Sequence, residues 1–514
     1  MIVRRAARSW LSIFVFASLF SFACSQSDGA VENGSRSNDG TDTNGTDGSR
    51  DGSTTSDPSN DAGTGADGAP TVGCTGFSTI VEPSEQLFVA PNGNDSADGS
   101  AGAPLASLGE AARRFPNGGT VVVRGGAYGA QTLAGTGTAG HPLVVRAASG
   151  ETPVFDGSAV QVPYGAVIRL TKAQHVVFAN LTVQNGTGPN VAGILADEAV
   201  SDLTIRACTI HDTQDALARF AGDGITFEGN EMYNGALANE GNPDRYKGGG
   251  WPGCMGTTPD FSRPTSPWAT NVTLRGNHVH DCWGEGLSIW FGSGVVVEDN
   301  VVERTFNVGI YLDNASNVQV ARNFVLMQAP MAMNGGIGNG VLLGIEPYDT
   351  HGVSYRPNHD ITIVDNVVVG ASAIGWWTSP NTSPDNTYAN VSILHNTLVA
   401  PSGAAIGFEA VSGQATSPKA CTIENNVIVE SSGSYLDEAS AFTLAGNAWL
   451  GPSKPMVAGT SDVSLNISVG AVTTAKDVQS LASQVGTGVA STVAIDFACA
   501  ARNAAAPTRG AFEH

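Results

Sequence analysis

Residues 294–303 read GVVVEDNVVE. NVTLRGNHVH (271–280) precedes this stretch and NVQVARNFVL (317–326) follows it. Each places an asparagine seventh: Asn277, Asn300 and Asn323, 23 residues apart. Around each asparagine, apolar and polar residues alternate and β-branched side chains dominate. That is the pattern of a short strand with one buried face. A fixed period with a polar residue always at the same point implies a stack of equivalent turns.

Further copies are DLTIRAC (202–208), GITFEGN (224–230), DITIVDN (360–366), NVSILHN (390–396), ACTIENN (420–426) and AFTLAGN (441–447), with a weaker one at HVVFANL (175–181). A second apolar pair follows each asparagine, and then in most copies a Gly-apolar stretch, as in GEGLSIW (284–290), VGIYLDN (308–314) and AIGWWTS (373–379). Three short strands per turn fit an all-β, single-stranded right-handed parallel β-helix of roughly ten or more coils. Equivalent residues then stack about 4.8 Å apart. A column of Asn230, Asn277, Asn300, Asn323, Asn366, Asn396, Asn426 and Asn447 can satisfy its buried amides as a ladder. Its role is structural.

LFVAPNGNDSADGSAGAPLASLGEAARRFPNGGTVVVRGGAYG (87–129) resembles the N-terminal entry of secreted bacterial β-helix proteins of the pectate-lyase-like superfamily. Leu105–Phe115 reads as an amphipathic helix that caps the open end of the solenoid, and ARNAAAPTRGAFEH (501–514) resembles the closing segment of the same proteins. The resemblance spans residues 85–514. It implies the fold but does not choose the chemistry, because this fold hosts lyases, hydrolases, epimerases and adhesins.

In such proteins the substrate groove runs along one outward sheet. An ungapped match of DALARFAGDG (215–224) to EGLSIWFGSG (285–294) sets the facing. By alternation Trp290, Tyr311, Asp313, Trp377 and Glu409 point out, with Glu346 just past a strand end, while Arg219 points in. Trp290, Tyr311, Trp377 and Glu409 are the expected substrate-binding residues, the aromatic faces stacking on sugar rings. The bland alternative is a surface whose aromatics are covered by loops. Asp313 and Glu346, on successive coils roughly 5 Å apart, suit a glycosidase pair or a Ca²⁺ site. Ca²⁺ is the one cofactor the sequence leaves open. The resemblance to lyases implies a basic residue that removes the proton beside a uronate carboxylate. Lys247 and Arg245, in the insertion at 235–270, and Arg219 are the candidates. The several-Asp Ca²⁺ cluster of pectate lyases is not found. His211-Asp212 and His280-Asp281 occupy matching positions and read as turn-closing pairs rather than as a metal site.

Arg4, Arg5 and Arg8, the apolar run WLSIFVFASLFSFA (10–23) and Cys24 resemble a bacterial lipoprotein signal over residues 1–24, with Cys24 lipidated. The alternative is ordinary secretion with cleavage after Ala23. Residues 25–72, with nine Asp or Glu against Arg36 and Arg50, are too polar to bury a core and read as a disordered tether. The β-helix domain occupies 73–514. A net charge of −22 argues against nucleic acid as a partner. The expected partners are a polysaccharide and, through the lipid, a membrane, with the protein monomeric and at the outer membrane or cell surface. Export permits disulfides. Cys254–Cys282 is the expected pair, Cys208 and Cys421 read as buried thiols, and nothing in the sequence joins Cys74 to Cys499. The leading expectation is a lyase of acidic polysaccharide. A glycoside hydrolase using Asp313 and Glu346 and a non-catalytic carbohydrate-binding or structural surface protein stand as alternatives.

Overall fold

The alternating repeats form strands that pair with the same strand of the next repeat rather than with their chain neighbours. Coil 292–313 shows the unit: Gly292–Glu298, Val301–Thr305 and Val308–Asp313, one strand for each of three sheets. All strand pairs between successive coils are parallel, for example Val297 with Val320, Val302 with Val325 and Leu312 with Leu343. Among the described residues the first and second sheets hold 13 strands each and the third holds 10. A computed structural model describes residues 74, 76–241, 253–259, 267–332, 335–346, 357–379, 387–409, 418–430, 442–451 and 458–514.

The inward residues build one continuous core. Ile205, Phe227, Leu274, Val297, Val320, Ile363, Ile393 and Ile423 stack down the first sheet with no exposed surface. At the corner between first and second strands stands the asparagine ladder. The backbone N–H and the Nδ2 of each asparagine both donate to Oδ1 of the asparagine one coil on. The Nδ2 contacts from Asn230 through Asn426 run 2.8, 3.0, 2.9, 2.9, 2.9, 3.0 and 3.1 Å. Each Nδ2 also donates to a carbonyl of the coil before, as Asn300 does to Leu274 at 2.9 Å.

The ladder has defined ends. Cys208, which stands where an earlier rung would be, sends its N–H to Asn230 Oδ1 at 3.0 Å. Asp462 receives the N–H of Asn447 at 2.7 Å and its Nδ2 at 3.2 Å. A carboxylate has acceptors only, so it terminates a chain of donors. The residue before each rung turns the corner in the left-handed region. Gly229, Gly276 and Gly446 do this freely, whereas Asp299, Arg322, Asp365, His395 and Asn425 adopt it at φ 53–58°.

The capping helix is Leu108–Arg114, shorter than the 105–115 expected. Asp95 Oδ1 takes the N–H groups of Ala106 and Ser107 at 2.9 Å each, which holds the entry to the helix extended, and Ser107 then caps it. Leu108, Ala111 and Ala112 are buried against the core. The C-terminal segment does something the repeat pattern does not announce. Val478, Leu481, Val485, Ala511 and Phe512 cover the outer face of the second sheet over Phe324, Leu326, Val367, Val369, Val399 and Val427. Arg502, buried, joins this segment to Asp365 at 2.5 Å. A disulfide also links Cys74 to Cys499.

The second disulfide, Cys254–Cys282, lies inside the core, with both residues fully buried. This changes the reading of 235–270. Gly253–Thr257 is a third-sheet strand, so the solenoid runs on through the insertion. Its glycines and cysteine hide the β-branched alternation that marks the other strands. Cys208 and Cys421 are free and buried.

Candidate functional site

The third sheet sets Glu285–Trp290, Val308–Asp313, Asn339–Ile345 and Ile374–Thr378 side by side. Leu287, Ile289, Ile310, Leu312, Leu343 and Trp376 fill the core. The intervening residues therefore face outward in two columns. One runs Ser288, Tyr311, Leu342, Gly375; the other runs Trp290, Asp313, Gly344, Trp377.

Asp313 and Glu346 are joined here through the Glu346 backbone. A Cβ on Gly344 would come within 2.3 Å of the Tyr311 hydroxyl oxygen, so the missing side chain is what lets Tyr311 lie across this position. Tyr311 then donates its hydroxyl to Glu346 Oε1. The Glu346 N–H donates to Asp313 Oδ1 at 3.1 Å, and Asn314 Nδ2 donates to the same oxygen at 3.0 Å and to the Glu346 carbonyl at 2.8 Å. Asp313, Asn314, Tyr311 and Glu346 thus form one network across two adjacent coils. Burial pushes the Glu346 carboxyl above the usual carboxylate range, and the Tyr311 hydrogen bond opposes this in part. A carboxyl held toward its neutral acid beside a second carboxyl that accepts two N–H bonds is an acid–base arrangement. One coil back, Ser288 donates to Glu285 at 2.9 Å, both of them buried. Sequence reasoning missed Glu285, whose neighbours Gly284 and Gly286 make it look like a turn residue.

The structure corrects the expected openness of this face. Trp290 and Tyr311 point away from the core but are only 9% and 3% exposed, packed with Trp268, Phe291, Val308 and Leu342. Asp313 has no exposed surface. Trp377 is half-buried at the edge of the same cluster. Alternation gives direction and not exposure, because it cannot see what packs on the outer side. The Glu409 backbone pairs with Trp377; its side chain, like Lys247, Arg245 and Cys24, lies outside the described residues.

Arg219 is also corrected. It points outward, with Ala218 and Phe220 in the core on either side. The ungapped match slipped by one residue: Ala218 pairs through Met255 with Leu287, not with Ser288. Three residues separate Ala218 from Gly222, but four separate Leu287 from Gly292, and a slip of one reverses every face. Thr257 Oγ1 accommodates the extra residue, accepting the Trp290 N–H and donating to the Trp290 carbonyl at 2.8 Å each. Arg219 makes two bonds to Asp215, at 3.0 and 2.8 Å, and lies 5.9 Å from the Trp290 ring centre. His211 and His280 each hold their neighbouring Asp212 or Asp281 through Nδ1, at 2.7 and 2.6 Å.

Comparison with known proteins agrees with this architecture. Residues 87–247 match the family described as Pel9A-like, right handed beta helix region. Residues 261–387 match the family described as right handed beta helix region. The chain is a right-handed parallel β-helix. Pectate lyase PEL9 of Emericella nidulans is 25% identical to this β-helix over 221 residues, covering 40% of the present chain and 49% of that protein. The β-helix therefore spans about half the length of the curated relative it matches. The solved structure of XylC with xylose superposes with a TM-score of 0.57 at 9% identity, over 83% of this chain and 98% of that one. Pectate lyase Pel9A superposes at 0.44 with 16% identity, over 84% and 97%. At 9% identity the XylC superposition speaks to the fold alone.

Because Trp290 sits in a packed cluster, Trp290→Ala is expected to cost about 3–5 kcal/mol of stability. Chemical unfolding of the variant measures this. An unchanged midpoint would mean that the ring is a free surface platform after all.

Proposed function

We propose that this β-helix hydrolyses glycosidic bonds in a polysaccharide, with Asp313 and Glu346 as its reacting carboxyls. The observation that carries the reading is their shared network, in which burial favours the neutral form of one partner. In this reading Glu346 protonates the leaving glycosidic oxygen. Asp313, which accepts the Glu346 N–H, is the second carboxyl of the pair that glycosidases use. Trp377, half-buried two residues beyond Gly375, offers the aromatic face for a sugar ring. The segments 347–356 and 380–386, which follow Glu346 and Trp377 closely in the chain, lie outside the described residues.

A second reading is β-elimination on a uronate polysaccharide. The match at 87–247 and the similarity to a pectate lyase favour it. Its base would be Arg219, or Lys247 or Arg245. Arg219 is held by Asp215 in two hydrogen bonds, which disfavours proton abstraction there. The pectate-lyase resemblance brings Ca²⁺ with it. Among the described residues, no group of three Asp, Glu, His or Cys converges on the outer face of the third sheet, so no step is routed through that ion. The proposal includes export with a lipid on Cys24, supported by the basic, apolar and small-residue succession before it. Wild type in the membrane fraction and Cys24→Ser in the soluble fraction are the expected outcome; wild type in the soluble fraction contradicts it.

The purified chain, offered a panel of neutral and uronate glycans, is expected to release new reducing ends without an ultraviolet-absorbing unsaturated product. Asp313→Asn and Glu346→Gln should each lower turnover by about 10²–10⁴-fold with the fold retained. Activity should fall as pH rises through the Glu346 pKa, above the usual glutamate range. Tyr311→Phe removes a bond that holds this pKa down, so it should move that alkaline limb upward. An unsaturated product would replace this reading with the lyase. Binding without either product would overturn both.

A further inference from the structure

On the outer face of the second sheet, away from the Asp313 network, three side chains converge from two adjacent coils. Glu231 pairs in register with His278, and Tyr233 with His280. Glu231 Oε1 lies 2.8 Å from His280 Nε2 and 3.2 Å from His278 Nδ1. The three atoms all lie within 4.8 Å of one another.

The far side of each ring decides what this convergence means. His278 Nε2 lies 3.0 Å from Glu303 Oε1, and His280 Nδ1 lies 2.6 Å from Asp281 Oδ2. A carboxylate only accepts, so each far nitrogen carries the hydrogen. In the neutral rings that leaves His278 Nδ1 and His280 Nε2 as lone pairs, both within 3.2 Å of Glu231 Oε1. Three acceptors pointed at one another repel unless something positive lies between them. A second proton on His280 makes the 2.8 Å contact a sound hydrogen bond. Burial opposes a second proton on His278, but the Glu231 and Glu303 carboxylates outweigh it and raise its pKa to about 9; its buried Nδ1 nonetheless lies 3.2 Å from Glu231 without forming a hydrogen bond. A single cation in place of those protons accepts all three lone pairs and gives His278 Nδ1 the partner it lacks.

We propose that Glu231, His278 and His280 form a Zn²⁺ site. Zinc binds imidazole nitrogen and carboxylate oxygen at about 2.0–2.2 Å in a tetrahedron, which puts neighbouring ligand atoms ~3.3 Å apart. The contacts of 2.8 and 3.2 Å to Glu231 lie close to that spacing, and all three ligand atoms are within 4.8 Å of one another. The surroundings are those of a metal site. Both ligand rings are backed by carboxylates, the arrangement that fixes the tautomer and raises ligand basicity. Arg304 holds both backing groups, at 2.7 Å to Asp281 and 2.8 Å to Glu303. Tyr233 stacks on the His280 ring at 5.3 Å and on His211 at 4.8 Å, which fixes the plane of the ligand ring. Two nitrogen donors and one oxygen disfavour Ca²⁺ and Mg²⁺, which select oxygen. Three protein ligands leave a fourth position for water or an exogenous anion.

The test is titration of the metal-stripped, untagged full chain with Zn²⁺, followed by calorimetry, and with Co²⁺, followed by its visible absorption. The expected result is one ion per chain, a tetrahedral Co²⁺ spectrum that Zn²⁺ abolishes, and a raised melting midpoint. Glu231→Gln and His280→Gln should each abolish the spectrum. Glu303→Gln, which touches only the backing of His278, should weaken affinity about 10–100-fold. His211→Gln, outside the ligand set, should bind as wild type. Failure of folded wild type to bind either ion, or equal binding by the Glu231→Gln and wild-type proteins, would overturn the assignment. Polysaccharide cleavage is read separately, so neither result depends on the Asp313 proposal.

Discussion

The structure depends on one repeated hydrogen-bond unit, the two-donor contact from each rung asparagine to the Oδ1 of the next. Stacking parallel coils buries a polar corner at every turn, and a buried amide without a partner costs about 1–3 kcal/mol. The column from Asn230 to Asn447 removes that cost in every coil it crosses, and Cys208 and Asp462 close its two ends. It also fixes register. A coil displaced by one residue would leave its rung amide unpaired as well as turn its apolar residues outward. The first strand of each coil is thereby set, and the second follows it through a short turn.

Fixed register is what allows separate coils to build sites. Asp313 and Glu346 are 33 residues apart in the chain yet lie in one network, because the third sheet puts their strands side by side. Glu231 and His278 are 47 residues apart and are direct neighbours in the second sheet. The two faces are used differently. The third sheet carries a packed aromatic layer around its carboxyls. The second sheet has its later coils covered by the C-terminal segment, while its earlier coils keep Glu231, His278, His280 and Glu303 near the surface.

The fold was legible because the repeat writes the same instruction many times, and a single irregular copy does not hide it. The ladder, the outward direction of Trp290, Tyr311, Asp313 and Trp377, and the helical cap all follow from period and alternation. What escaped depends on single residues or on distant ones. One extra residue before Gly292 reversed the facing inferred for Arg219. Burial of Trp290 comes from Trp268, Phe291 and Leu342, which no local pattern connects. The pairing of Cys74 with Cys499 needs the C-terminal segment to return along the solenoid. The convergence at Glu231 was hidden by the long coil between it and His278, in which Gly253–Thr257 lacks the usual strand pattern.

The ladder claim is tested most directly by native-state hydrogen exchange at the rung amides of Asn277, Asn300, Asn323 and Asn366. If each N–H is held by the next rung inside one cooperative stack, all four exchange only through global unfolding, at a common free energy. In Asn300→Leu, exchange then quickens at the rungs on both sides. Rung amides that exchange as fast as loop amides in the wild type would contradict the account. So would a substitution whose effect stops at residue 300.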